Sequence, residues 1–175
     1  MPNSALADPG VVVDSLSPKY DLGIRAEYAW NANAPVQLGV FKGEGANSIS
    51  NRDSAVMYVG RVTARPLPQL GLGASGTHDG PDSLRWGVDA NVTHMGLVVR
   101  TEYIERHRRG RPNSTDDWGW YVFEGFRATP RLQLLARQED FQRPTRGAVG
   151  RVRGSAFGAL YEFSPNRVKL LAEYL

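Results

Sequence analysis

The stretch LRWGVDANVTH, residues 84–94, decides how the chain is read. Leu84, Trp86, Val88, Ala90 and Val92 share one parity, and Arg85, Asp89, Asn91 and Thr93 share the other. Successive side chains point to opposite faces of a strand, so this alternation predicts a strand with one apolar and one polar surface. The pattern recurs on both sides. Leu22, Ile24, Ala26, Tyr28 and Trp30 oppose Gly23, Arg25 and Glu27. Val56, Tyr58, Val62 and Ala64 oppose Arg61, Thr63 and Arg65. Leu132, Leu134 and Ala136 oppose Gln133, Arg137 and Glu139. Val168, Leu170, Ala172 and Tyr174 oppose Lys169 and Glu173. No stretch holds an apolar i, i+3, i+4, i+7 pattern for more than about two turns.

The alternation predicts an all-β chain of ten strands, near 20–30, 35–43, 55–65, 69–77, 84–93, 95–106, 118–128, 131–141, 152–163 and 166–175. Most approach the roughly 9–11 residues that a tilted strand needs to cross a bilayer. A soluble β-sandwich would alternate in the same way, with its apolar face turned into a core. Two features favour lipid. Arg and Glu crowd the polar face near strand centres, and Trp30, Trp118, Trp120, Tyr161, Phe163 and Tyr174 fall near strand ends. Aromatic girdles at the two interfaces of a transmembrane barrel produce the second feature. The expected architecture is therefore an antiparallel transmembrane β-barrel meander over residues 20–175. Residues 1–19 are expected to form an extracellular loop or disordered tail.

Composition fits this reading. The chain has 175 residues, enough for one domain, with 19 glycines and 10% aromatics. It has no cysteine, which excludes disulfides and thiolate metal sites. Mean hydropathy is below zero. No apolar run approaches the roughly 20 residues of a spanning helix, whereas a barrel presents only alternate residues to lipid. MPNSALADPGVVVDSL, residues 1–16, lacks the basic and apolar segments of a secretory signal.

The connections set an expected direction. Those after odd-numbered strands read as short: Asn31–Ala34, Pro66–Pro68, His94, Thr129-Pro130 and Ser164-Pro165. Those after even-numbered strands read as longer: Glu44–Ser54, His78–Ser83, His107–Asp117 and Gln142–Gly150. Outer-membrane barrels have short periplasmic turns and long extracellular loops. Both chain ends would then be extracellular, whereas complete bacterial barrels usually begin and end in the periplasm. The expectation is an internal run of hairpins from a barrel of at least about twelve strands.

Four stretches carry a resemblance: YVGRVTARPLPQLGLGASG (58–76), RWGVDANVTHMGLVVRTEYIERHRR (85–109), GWYVFEGFRATPRLQLLARQEDF (119–141) and GALYEFSPNRVKLLAEYL (158–175). A strand ending in Gly-Arg, a Pro turn and a Gly-rich strand are followed by a long strand ending in Glu-Tyr. Gly-Trp-Tyr-Val, a Thr-Pro turn, an Ala-Arg strand and a Pro-Asn turn before a last Glu-Tyr strand complete the rhythm. It resembles the phosphate-selective porin O and P family over most of residues 20–175. The resemblance implies a sixteen-stranded trimeric channel for small anions in the outer membrane of a Gram-negative bacterium, of which this chain would be a piece. The family's selectivity rests on a basic ladder and an inward-folded loop, and that loop has no residue-by-residue counterpart here.

The parity assigns Arg25, Arg61, Arg65, Arg85, Arg100, Arg106, Arg127, Arg137 and Lys169 to the lumen face. It adds the acids Glu27, Asp89, Glu102, Glu139 and Glu173. Cations exceed acids there. Rings of Arg and Lys favour anions in a pore, and guanidinium matches oxyanions bidentately. The plain alternative is that Arg and Glu brace the wall in pairs such as Arg100 with Glu102 or Arg137 with Glu139. Glu124 breaks the pattern, because Trp120, Val122 and Phe126 place it on the lipid face. A subunit contact or a register-shifting bulge would explain it.

Other chemistry finds less support. His78, His94 and His107 fall at different barrel ends, which argues against a shared metal site or catalytic triad. Ser75 near His78 has only the adjacent Asp79 to orient the ring, so hydrolase activity is not expected. GLGASG, residues 71–76, lacks the helix that a phosphate loop requires. Asp116 and Asp117, with Asn113, read as a solvated loop rather than a Ca²⁺ site. The basic run at residues 106–111 is expected to meet lipopolysaccharide phosphates, a pore mouth or plain solvent rather than nucleic acid. The expected partners are outer-membrane lipids, lipopolysaccharide, small anions and two further copies in a homotrimer, with no cofactor. The functional expectation is passive diffusion of small hydrophilic solutes. A non-conducting barrel and a soluble sandwich module are the alternatives.

Overall fold

A computed structural model describes residues 22–29, 31, 33–43, 56–80, 83–108, 116–145, 148–164 and 168–174. The expectations for residues 1–19, for Trp30 and for most of the Glu44–Ser54 and His107–Asp117 connections lie outside them.

Ten strands form one antiparallel sheet in sequence order: β1 (Gly23–Ala29), β2 (Pro35–Phe41), β3 (Met57–Leu67), β4 (Leu70–Asp79), β5 (Ser83–His94), β6 (Leu97–Arg108), β7 (Asp117–Arg127), β8 (Leu132–Thr145), β9 (Ala148–Ser164) and β10 (Val168–Tyr174). Among the described residues there is no helix, and β1 and β10 are the two edges of the sheet. Strand number, order and antiparallel pairing follow the alternation.

The connections differ from expectation. β8 and β9 pair out to Thr145↔Ala148, so the expected loop Gln142–Gly150 is largely strand. Its proline and glycines read as a loop. However, β7 reaches β8 only as far as Trp118↔Gln142, and a proline is tolerated where a strand lacks a neighbour on one side. The His78–Ser83 connection shrinks to residues 80–82, with Gly80 at φ 61°. The strict alternation of loop lengths therefore does not hold. Only residues 42–56 and 109–116 remain long, both at the same end of the sheet.

Two short turns also move. The turn expected at His94 lies at Met95-Gly96, with φ of 46° and 84°. Two positive φ values make a type I′-like turn, whose twist suits a two-residue hairpin. Methionine is no usual turn residue, which hides this turn in the sequence. The proline turn after β3 lies at residues 68–69 rather than at Pro66–Pro68, and the ladder shifts register between Ala64 and Leu67, around Pro66.

The ladders from β4 to β9 carry no register shift, so one side of the sheet runs unbroken through Leu72, Ala90, Thr101, Val122, Gln138 and Ser155. The two sides are packed in an unusual sense. The buried apolar residues Met57, Val98, Ile104, Phe123, Leu135, Phe141, Ala156 and Leu160 all lie on the arginine-bearing side. The opposite side leaves large apolar residues bare, among them Ile24 at 81%, Leu38 at 63%, Phe157 at 59% and Tyr174 at 75% exposed. Around these lie Tyr58, Val62, Leu72, Trp86, Val88, Phe126, Leu134 and Leu170.

Magnitudes show what this means. Exposing such a side chain to water rather than an apolar medium costs about 1.5–3 kcal/mol when complete. Even at half exposure, a face of this kind costs on the order of 10 kcal/mol, comparable with the whole ~5–15 kcal/mol net stability of a domain. A contiguous apolar surface on this scale marks an interaction or membrane surface.

Candidate ion path on the arginine-bearing side

Strand parity brings the basic residues to one side, and the register decides which of them meet. Arg25 on β1, Arg61 on β3, Arg85 on β5 and Glu102 on β6 line one cavity of about 310 Å³, with Ser75 and Thr77 from β4. Arg61, Asp89, Arg100, Glu102 and Tyr121 line an adjoining space of about 370 Å³. Small residues on β4 make the room. A Cβ on Gly73 would lie 2.3 Å from Asp89 Oδ2 and 2.5 Å from Arg61 Nη2, so glycine lets this ion pair cross the strand.

The charges in this space are partly balanced. Arg61 Nη2 lies 2.7 Å from Asp89 Oδ2 and donates to Oδ1 at 3.0 Å. Tyr121 is hydrogen-bonded to Glu102. Gln37 donates to Glu27 at 2.8 Å. Arg85 differs from these: its Nε and Nη1 are buried without a hydrogen-bond acceptor among the described residues. Buried donors of this kind cost about 1–3 kcal/mol each unless something accepts from them.

The other expected lumen residues are dispersed. Arg106 is bound to Asp117, which is 1% exposed and also meets Arg108 at 3.0 Å and Arg143 at 3.9 Å. Arg137 and Glu139 are buried, with Nη2 and Oε1 3.5 Å apart, as the bracing alternative expected. For Arg100 and Glu102 the partners are instead the cavity they share and Tyr121. Arg65 and Arg127 are exposed at the short-turn end, their backbone amides bonded to Asn33 O and Gly96 O. Lys169 and Glu173 have described backbones on β10, and their side chains lie outside the described set.

Sequence reasoning missed several participants. Asp117 read as loop, although it continues the parity of Tyr121 and Phe123 and so belongs to the arginine-bearing side. The apolar filling by Phe123, Leu135, Ala156 and Leu160 was also missed, with Tyr121 and Leu171 packed against it. It is legible only once the register places Phe123 opposite Arg137 and Leu135 opposite Gly158.

Glu124 is exposed on the apolar side, between Val99 of β6 and Ala136 of β8. Neither ladder shifts register there, so the bulge explanation is overturned. Three residues separate Glu124 from the end of β7 at Arg127, about 10 Å along a strand.

Above the apolar face, towards the long connections, Trp86 and Tyr103 pack at 5.4 Å and Tyr103 and Trp118 at 6.3 Å between centroids. The Arg151 guanidinium lies 5.9 Å from the Trp118 ring, and beyond it Asp140 joins Arg151 and Arg153. Towards the short turns, Tyr161 and Phe163 pack edge-on at 4.9 Å. The three histidines remain apart, but His107 stands beside Glu105 and Asp116, a grouping that the sequence did not announce. No family model matches the chain, and no curated protein shows significant similarity to it.

Proposed function

We propose that this sheet is part of the wall of an outer-membrane β-barrel of porin type in a Gram-negative bacterium, passing small hydrophilic solutes with a preference for anions such as phosphate. The observation that carries the reading is the inverted packing: bare leucine, valine, phenylalanine and tyrosine on one side, the buried apolar residues and most of the strand arginines on the other. A soluble sandwich would bury the apolar side. Lipid covers it in this reading, with Trp86, Tyr103 and Trp118 in one interfacial girdle and Tyr161 and Phe163 in the other.

The anion preference rests on Arg25, Arg85 and Arg100, which outnumber the acids around the two cavities once Arg61 is set against Asp89. Guanidinium groups in a space shielded by low-dielectric walls raise the local anion concentration. In this reading the open edges β1 and β10 are paired on closure of the barrel, and the groove at Glu124, Gln138 and Phe157 is the contact offered to a second copy in a homotrimer. Lipopolysaccharide phosphates meet the basic residues beyond the upper girdle.

The packed residues Phe123, Leu135, Phe141 and Leu160 favour a second reading, a barrel that anchors partners without conducting. Planar-bilayer recording in a salt gradient separates the two. Discrete conductance with an anion-selective reversal potential is expected, and silence or cation selectivity overturns the channel reading.

A further inference from the structure

Period two puts Glu105 and His107 on the same side of β6. The pairing Arg106↔Asp117 sets Asp116, the residue entering β7, across from His107. The three side chains meet on the apolar side, at the end towards the long connections. Their candidate ligand atoms all lie within 4.8 Å of one another. Asp116 Oδ1 is 2.7 Å from His107 Nδ1, and Glu105 Oε1 is 3.2 Å from Nε2.

A neutral imidazole carries one N–H and one lone pair. It therefore satisfies only one of the two flanking carboxylates and turns a lone pair towards the other. Two carboxylates and one ring nitrogen make a donor set for a cation. Among the described residues, no arginine supplies one. Arg106 and Arg108 lie on the opposite side, against Asp117, and Arg151 and Arg153 are held by Asp140. A group outside the cluster also orients one of the acids: the Tyr103 hydroxyl donates to Glu105 Oε2 at 2.9 Å, leaving Oε1 turned to the ring. Outer hydrogen bonds of this kind fix the carboxylates of metal sites.

We propose that Glu105, His107 and Asp116 bind a divalent transition-metal ion of the Zn²⁺ type, with open positions left for water or an external ligand. One imidazole and two carboxylates suit Zn²⁺, Ni²⁺ or Cu²⁺, whereas an all-oxygen set would suit Ca²⁺ or Mg²⁺. Two ligands of a tetrahedral zinc stand ~3.4 Å apart; the two carboxylates here face different ring nitrogens, so binding would turn the exposed Asp116 carboxylate and the His107 ring towards a common point. The ion would tie Asp116, at the entry to β7, to the end of β6. The site does not depend on the channel reading.

Calorimetric titration of the purified full chain with ZnCl₂ tests it. One saturable site per chain is expected, with Ca²⁺ and Mg²⁺ binding at least a hundredfold more weakly. His107→Ala should weaken Zn²⁺ binding at least tenfold and Glu105→Gln severalfold, while His78→Ala and His94→Ala leave it unchanged. Co²⁺ should give visible d–d absorption that His107→Ala abolishes while the far-ultraviolet dichroism of the strands is kept. Absence of saturable Zn²⁺ binding overturns the site. Zn²⁺ affinity indifferent to His107 overturns it as well.

Discussion

The two halves of the arginine-bearing side are built differently. Across β1–β6 the side chains stand apart around two cavities, with Gly71, Gly73, Ser75 and Thr77 on β4 leaving the room. Across β7–β9 the same side is filled by Phe123, Leu135, Phe141, Ala156 and Leu160, and Arg137 is buried there with them. The parity is the same in both halves, but the residue volumes are not. One half leaves open space, while the other is packed as a core. The arginine count of a strand therefore says little about conduction until the neighbours' sizes are known.

The contrast can be broken from either half. The largest effect is expected in the filled one: Phe123→Ala should cost about 3–5 kcal/mol in denaturant unfolding from lipid vesicles, through lost burial and a cavity. Leu135→Ala, at a residue 4% exposed, should cost about 2–5 kcal/mol in the same measurement. Next comes the bare side. Val88→Arg should cost about 2–4 kcal/mol in vesicles, the penalty for a cation near mid-membrane on a lipid face. A soluble sheet with Val88 at its surface would feel almost nothing. In the open half stability should change little: Arg61→Gln, which removes a partly exposed ion pair, should cost roughly 0–1 kcal/mol. The open half should answer instead in selectivity. Arg85→Gln should move the reversal potential towards cations, and Arg137→Gln, in the filled half, should leave it in place.

Alternation made the strands legible because a one-residue slip would carry the whole apolar set to the wrong side. Residues 84–94 alone place Val88 and Asp89 on opposite sides, and the structure agrees along the entire ladder. Turn positions were less legible. Met95 adopts a positive φ that its side chain does not advertise, and Pro144 sits in strand because β7 ends before reaching it. The site was legible as a list of basic residues but not as a grouping. Which arginines share a cavity depends on cross-strand register, and Arg106 left the set because Asp117, read as loop, belongs to β7. The Glu105, His107 and Asp116 cluster was hidden for the same reason. Its third member, Asp116, stands just ahead of the next strand, and only the register brings it across from His107.

The chain has no cysteine, so single cysteines can be placed one at a time along β5 without background. Replacing each of residues 84–93 in turn and labelling vesicle-embedded protein with a membrane-impermeant maleimide tests directly which side of the sheet meets water. A period-two pattern is predicted: the odd-numbered positions react, while the even-numbered ones are protected in vesicles and quenched by a lipid-phase quencher when tagged. Even-numbered positions that react as fast as odd ones, or that are protected equally well without lipid, would contradict it.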